Sequence, residues 1–304
     1  MSLPAHIAER LRLPAIAAPM FLVSGVDMVL AACKAGIIGS FPANNARTLD
    51  EFDAWMGQIA ATLPADAPPW AVNLMVHRSY ARGAEELDLV LKHKPPIVIT
   101  ALGSPAAVVE AIQAYGGLVY ADVNSLTYAE KAAKTGVDGL VLVAAGAGGH
   151  TGQIAGFAFA PAVREVFDGT IVLGGGIGTG RAVRAARMLG ADLAYLGTRL
   201  IACAESLAVP AYKQMLIEAT AEDIVTSAGL TGIPANWLKA SLAAAGYDAE
   251  GLKIKATMDL GRPEDAAKRW RDVWSAGQGA GEVRAVEPLA KIVDDLVADY
   301  AAAV

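Results

Sequence analysis

Residues 139–152, GLVLVAAGAGGHTG, join a short apolar run to a glycine-rich turn that ends on a single histidine. A run that is continuously apolar, rather than alternating, implies a strand buried on both faces, as in a parallel sheet covered by helices. The turn then delivers His150 to the strand's C-terminal end on almost bare backbone. An imidazole with an ordinary pKa near ~6.5 can take up a proton near neutrality and return it. Chemistry is a better reading of this arrangement than packing.

Outward from that stretch the same strand-then-helix rhythm recurs. Apolar runs at 15–19, 37–40, 71–74, 97–100, 118–121, 139–143, 170–173 and 193–196 predict eight strands. Helical spacing follows them at 26–35, 48–63, 84–93, 105–115, 126–135, 161–167, 180–189 and from about 199. Gly36 marks one helix end, and Thr48 is the expected N-cap of the next helix. Eight units with short connections predict a closed (β/α)8 TIM barrel, an α/β fold, with an open doubly wound sheet as the alternative. After Ala204 the rhythm stops, and 206–219, 234–245, 263–276 and 288–300 read as helices. The expected organisation is therefore a barrel over 1–204 and a C-terminal helical appendage over 205–304, packed by the barrel mouth as a lid or an oligomer contact.

The 304 residues are 54% hydrophobic and 18% charged, which describes a compact chain with a large core. A net charge of −6 with no Lys/Arg cluster argues against nucleic acid or an anionic membrane as partner and for a small-molecule substrate. Asp27 and Lys34 interrupt the richest apolar region, so no run reaches the ~18 residues of a bilayer span. The N-terminus shows no secretory pattern, and Cys33 and Cys203 read as buried small hydrophobes. A cytoplasmic location is expected, and a homo-oligomer is compatible with this reading.

In such a barrel, ligands bind at the C-terminal ends of the strands. The residues found there are Met20, Asn73, Asp122, the 146–152 loop, the 174–178 loop, and Gly197 with Thr198. The loops LGGGIGTG (173–180) and YLGTR (195–199) each open a helix, where glycine backbone and the positive helix end favour an anion. Their occurrence after strands seven and eight predicts a phosphorylated ligand. A dinucleotide fingerprint belongs to a first strand, so these late glycines do not make one. His77, beside Arg78, reads as structural, and His93 as a solvated helix end. No metal-ligand spacing and no G-x-S-x-G elbow occurs, which argues against zinc or triad hydrolysis.

APMFLVSG (18–25), VNL (72–74), AGGHTG (147–152), GGGI (174–177) and GADLAYLGTR (190–199) together resemble the flavin-dependent nitronate monooxygenases, also called 2-nitropropane dioxygenases. YKQM (212–215) resembles one subgroup. The resemblance implies an oxidoreductase holding FMN non-covalently and oxidising alkyl nitronates with O2 to carbonyl compounds and nitrite. It implies that Met20 and Asn73 border the isoalloxazine ring with Gly148 and Gly149. Gly175, Gly176, Leu196, Gly197 and Thr198 would hold the phosphate, and His150 would be the base or the substrate-orienting group. Many members have P-M-A-G-V where this chain has Pro19-Met20-Phe21-Leu22-Val23, and some carry lysine near Asp122 and glutamine near Val143. The alternatives are an FMN-dependent NAD(P)H oxidoreductase acting on quinones or enoyl thioesters, and a non-catalytic FMN- or phosphate-binding protein.

Overall fold

The computed structural model describes residues 3–247 and 272–303. Its main sheet holds Ala15–Ala17 (β1), Gly39–Pro42 (β2), Trp70–Met75 (β3), Ile97–Ala101 (β4), Leu118–Val123 (β5), Gly139–Val143 (β6), Thr170–Gly174 (β7) and Leu193–Leu196 (β8). All neighbours are parallel, in the order β1-β8-β7-β6-β5-β4-β3-β2. The ring closes between β1 and β2, where the Ala17 N–H donates to the Ile38 carbonyl (2.8 Å) and the Ile38 N–H to the Ala15 carbonyl (3.0 Å). This is the eight-stranded barrel that the apolar runs predict.

Side chains alternate across each strand, so every second residue points into the barrel. Ile16, Ile38, Ala71, Ile97, Ile99, Tyr120, Val141, Val172 and Leu193 fill that interior as one buried cluster, and Leu3 and Ile7 from the N-terminal segment join them. The outward residues, such as Val72, Val98, Leu140 and Ile171, pack beneath the helices. Helix signals were local and accurate where caps are strong. Gly36 ends Val26–Ala35 in the left-handed conformation (φ 97°), and the Thr48 hydroxyl accepts from the Glu51 N–H (3.1 Å) at the start of Leu49–Thr62.

Three expected elements differ. The helix read at 161–167 instead spans Gly156–Arg164, with Pro161 inside it. The carbonyl that this proline leaves unmet belongs to Phe157, an exposed residue, while Phe159, Ala160 and Val163 gain full burial. The helix read from about 199 is a single turn, Thr198–Ile201. There the Ser206 hydroxyl takes the Ile201 carbonyl (2.6 Å), the Lys213 ammonium takes that of Cys203 (2.6 Å), and the Ala204 N–H turns to the Glu287 carbonyl (2.9 Å) instead of back along a helix. Leu289–Ala302 occupies the vacant place in the outer ring, packing Leu289, Ile292, Val293 and Leu296 on Met28, Ala32 and Ala35 of one neighbour and Val183 of the other.

The third difference lies at 234–245, where a strand, Ala235–Leu238, precedes a short helix, Lys239–Ala244. A β-branched run at Ile224–Ser227 supplies its antiparallel partner, and Pro234 stands just before the strand, where its missing N–H costs nothing. Of the other expected helices, Pro210–Glu218 and Leu289–Ala302 are present. Residues 263–271 of the helix expected at 263–276 lie outside the described residues. No helix among the described residues is long and apolar enough to cross a membrane.

Because Ile292 is fully buried between two barrel helices, Ile292→Ala should cost about 2–5 kcal/mol of unfolding free energy in urea titration. An unchanged midpoint and slope would mean that this helix is not part of the cooperative barrel.

Candidate active site

The apolar filling of the barrel stops one level below its C-terminal rim. Two residues further along, by the alternation of the strands, come Ser40, Asn73, Ala101, Asp122, Val143, Gly174 and Tyr195. The mouth is therefore floored by short or polar side chains. Asn73 is buried and donates its side-chain N–H to the Ile99 carbonyl (3.2 Å). Asp122 keeps part of its surface open to this interior space although protein surrounds it, and burial pushes its carboxyl up to about 7.

Loop 144–155 rises from β6 over this floor. At its stem the Ala144 N–H donates to the Gly174 carbonyl (2.9 Å), the Ala145 N–H to that of Ile154 (2.8 Å), and the Thr151 hydroxyl to that of Ala144 (3.1 Å). At its crest Gly149–His150 forms a two-residue strand paired antiparallel with Ala235–Asn236. The Thr151 N–H extends the ladder to the Pro234 carbonyl (3.0 Å). Asn236 is almost wholly buried; its amide N–H donates to the Ala147 carbonyl (2.7 Å) and its Oδ1 accepts from the Thr226 hydroxyl. His150 is thus placed by a three-stranded sheet built from the hairpin at 224–238. Surrounding protein lowers the His150 pKa below the ordinary 6.5 by desolvating the cation, so the ring is a free base at neutral pH.

The turn after β1 makes another wall. The Ser24 hydroxyl accepts from the Met20 N–H (3.0 Å). Asn45 accepts from the Leu22 N–H (2.8 Å) and donates to the carbonyls of Met20 (2.9 Å) and Ser24 (2.7 Å). These bonds hold Leu22 in the left-handed region (φ 59°) and fix Met20 at the rim, where its sulfur lies 3.6 Å from the position of a Cβ on Gly197.

The predicted phosphate loops come together with a third segment. Gly175 (φ 131°) and Gly176 (φ 69°) adopt backbone that side chains rarely take, and a Cβ on Gly176 would meet nothing within 4 Å. That space is open, bounded by backbone, and adjoins the N-terminus of Gly180–Met188, which Thr179 caps by accepting from the Ala182 N–H (3.1 Å). Thr198 Oγ1 accepts from the Gly277 N–H (2.8 Å), which leaves its own hydroxyl proton to donate. The Gln278 N–H bonds the Gly146 carbonyl (2.9 Å), and a Cβ on Gly148 would lie 2.8 Å from the Gly277 nitrogen. Gly277–Gly279 therefore links the His150 loop to the Thr198 turn.

Met20, Asn73, Gly148, Gly149, His150, Gly175, Gly176, Leu196, Gly197 and Thr198 all lie at the C-terminal end of the barrel, as expected. Leu196 itself is fully buried in the layer under the helices, so its backbone alone faces this end. His77 stays in the loop after β3, bonded to the Ser79 hydroxyl (2.7 Å), and His93 pairs with Asp53 at a helix end (2.5 Å). Among the described residues no cluster of His, Cys, Asp or Glu could hold a metal ion. Sequence reasoning missed Ser24, Asn45, Tyr195, Asn236 and Gly277. Asn45, Asn236 and Gly277 act through partners distant in the chain, Ser24 acts within an irregular turn, and the one local signal was the β-branched run at 224–226.

A family model for nitronate monooxygenases matches residues 72–299. A nitronate monooxygenase of Paraburkholderia phytofirmans is 27% identical over 333 residues, covering 93% of this chain and 91% of its own. A (3aS,4S,5R,7aS)-5-hydroxy-7a-methyl-1-oxo-octahydro-1H-indene-4-carboxyl-CoA dehydrogenase of Mycobacterium tuberculosis is 26% identical, over 75% of this chain and 64% of its own. The chain spans about two fifths to two thirds of the length of several of the curated relatives it matches. The crystal structure of nitroalkane oxidase from Streptomyces ansochromogenes superposes with a TM-score of 0.81 at 23% identity, covering 98% of this chain and 99% of its own. That likeness is one of fold.

Asn236→Ala removes the side-chain bond from the hairpin to the Ala147 carbonyl, together with the Thr226 bond that orients it, and leaves the backbone ladder in place. A loss of about 1–3 kcal/mol is expected, together with faster amide hydrogen exchange at residues 147–151 than in the barrel strands. Exchange there that matches the unsubstituted protein would show that the Asn236 amide does not hold the loop.

Proposed function

The chain belongs to the nitronate monooxygenase family, and from that membership we propose that it is an FMN-dependent oxidoreductase that oxidises alkyl nitronates with O2 to carbonyl compounds and nitrite. The observation that carries the reading is the convergence of one neutral histidine and an open, glycine-lined cradle on the same barrel mouth.

The residues present suit a phosphorylated flavin. Gly175 and Gly176 present backbone where any side chain would be strained, and Thr198 has a hydroxyl proton to give. Together with Gly197 and the backbone of Leu196, these would hold the phosphate, beside the positive end of Gly180–Met188. Met20, Asn73, Gly148 and Gly149 would border the ring. When bound, the flavin supplies the electron transfer between nitronate and oxygen, and the protein supplies position and charge.

His150 does the proton and orientation work. As a free base it can remove the α-proton of a neutral nitroalkane, and as a hydrogen-bonding group it can hold the nitronate oxygens. The hairpin fixes its backbone at the crest of the loop. Loop 144–155 and the Gly277–Gly279 segment narrow the mouth around it and exclude water from the reacting atoms.

A second reading is favoured by the indene-carboxyl-CoA dehydrogenase relative, whose name places a CoA thioester at a dehydrogenase site: an FMN-dependent NAD(P)H oxidoreductase acting on a quinone or an enoyl thioester. The same barrel mouth would serve it, with the nicotinamide in place of the nitronate.

Anaerobic mixing with NADH or NADPH separates the two, because flavin that stays oxidised supports the monooxygenase and rapid bleaching supports the reductase. His150→Ala should still bind FMN while nitrite release from a neutral nitroalkane falls by ~10²–10⁴ in kcat/KM. The unsubstituted protein should show an acid limb below the ordinary histidine value of 6.5, since protonation removes the base, and the variant should lack it. Nitrite release from a neutral nitroalkane that survives His150→Ala unchanged would contradict the role of this residue.

A further inference from the structure

A buried acid in the barrel floor is not used by the chemistry above. Asp122 projects from β5 into the barrel, one inward step above Tyr120. On that face its strand neighbours present Ile99 and Ala101 from β4, and Val141 and Val143 from β6. Asp122 Oδ1 is shut away from solvent with no hydrogen-bond partner, and so is the hydroxyl of Tyr195, three strands round the barrel on β8. The two are close enough for the charge on an ionised Asp122 to act on Tyr195.

An ionised carboxylate without donors is strongly disfavoured inside a protein, and its cheapest escape is to keep its proton. Burial is what pushes Asp122 up to about 7. A protonated carboxyl has one O–H to donate, and a tyrosine hydroxyl has another. Two unspent donors in the wall of an interior space, onto which Asp122 and Tyr195 are each partly open, call for a ligand with acceptor atoms at its inner edge.

Resting on the flavin reading above, we propose that Asp122 is a cofactor-binding residue that stands as a neutral carboxylic acid and donates its O–H to an acceptor on the edge of the flavin ring, with the Tyr195 hydroxyl as second donor. Occupation of the site then requires a proton on Asp122. Below the pKa of the free acid the proton is already present and affinity does not depend on it. Above that pKa each binding event takes up one proton, so affinity falls as pH rises.

The other titratable groups facing Asp122 do not change state in the same window. Tyr195 and Tyr120 are raised by burial from the ordinary 10.0, and His150 is lowered from 6.5. The inward residues of β4 and β6 do not titrate, and neither does Asn73 from β3. The FMN phosphate completes its second ionisation near ~6. Asp122 is therefore the group whose protonation changes between about pH 7 and 9.

The test is the dissociation constant of FMN, read by quenching of flavin fluorescence across that range. In the unsubstituted protein the constant should rise roughly tenfold per pH unit. Asp122→Asn, which keeps the shape and a donor but does not titrate, should give a nearly flat profile. Should that variant not fold, Tyr195→Phe should bind FMN more weakly with the slope kept. A flat profile in the unsubstituted protein, or an equal slope in Asp122→Asn, would overturn the proposal. Infrared difference spectra of the flavin-free protein add an independent readout: the C=O band of a protonated carboxyl should be present near neutral pH and absent in Asp122→Asn. Its absence from the unsubstituted protein would overturn the neutral acid. No FMN binding at any pH would contradict the flavin reading itself, while the infrared band still decides the state of Asp122.

Discussion

The antiparallel pairing of Gly149–His150 with Ala235–Asn236 is the constraint on which the functional reading depends. A glycine-rich loop on a barrel rim has little of its own to hold it, because glycine contributes no side-chain contacts and a large conformational entropy. Backbone hydrogen bonds to a neighbouring strand remove that freedom at two residues. The Asn236 amide adds a side-chain bond to the Ala147 carbonyl, and the Thr226 hydroxyl fixes the amide in turn. The backbone of His150 is therefore held by a segment some 80 residues away in the chain. The segment beyond β8 is a working part of the site because it carries this hairpin and, further on, the Gly277 N–H that meets Thr198.

Below the rim the barrel is divided by alternation alone. Its lower interior is a closed apolar plug from Leu3 and Ile7 up to Tyr120 and Val172. One strand step higher the same inward positions carry Asn73, Asp122 and Tyr195. A ligand lying on that level would have a dry floor beneath it, which strengthens any hydrogen bond it makes and penalises any charge left unpaired. The physical cost of Asp122 and the low proton affinity of His150 have the same cause, the removal of water around a titratable group. The effect runs in opposite directions for an acid and a base: it pushes one towards its protonated form and the other towards its unprotonated form.

Much of the barrel was legible because its strands are short, continuous apolar runs and its helices carry local stop signals such as Gly36 and Thr48. The place of His150, Thr198 and the glycines at 175 and 176 at the C-terminal end of the barrel was legible for a related reason: each follows closely on a strand. What local patterns could not show was long-range substitution. The helix after β8 ends at Ile201, where Ser206 and Lys213 claim the carbonyls of Ile201 and Cys203, and Leu289–Ala302 takes its place through burial of a face that any amphipathic helix would show. Pro234 reads equally as a helix start or as the residue before a strand, and only the partner at Ile224–Ser227 decides. Ser24 and Asn45 were invisible because a serine and an asparagine in loops have no periodicity, yet together they set the turn that carries Met20.

The proposed function requires that the barrel mouth take a phosphorylated flavin, with the phosphate on the Gly175–Gly176 and Gly197–Thr198 backbone and the ring near His150. Equilibrium titration of the protein with FMN and with riboflavin, which lacks the phosphate, tests it most directly. One FMN per chain, with riboflavin bound at least about tenfold more weakly, a difference of ~1.4 kcal/mol or more, is the predicted result. Failure to bind FMN, or equal affinity for the two, would contradict it.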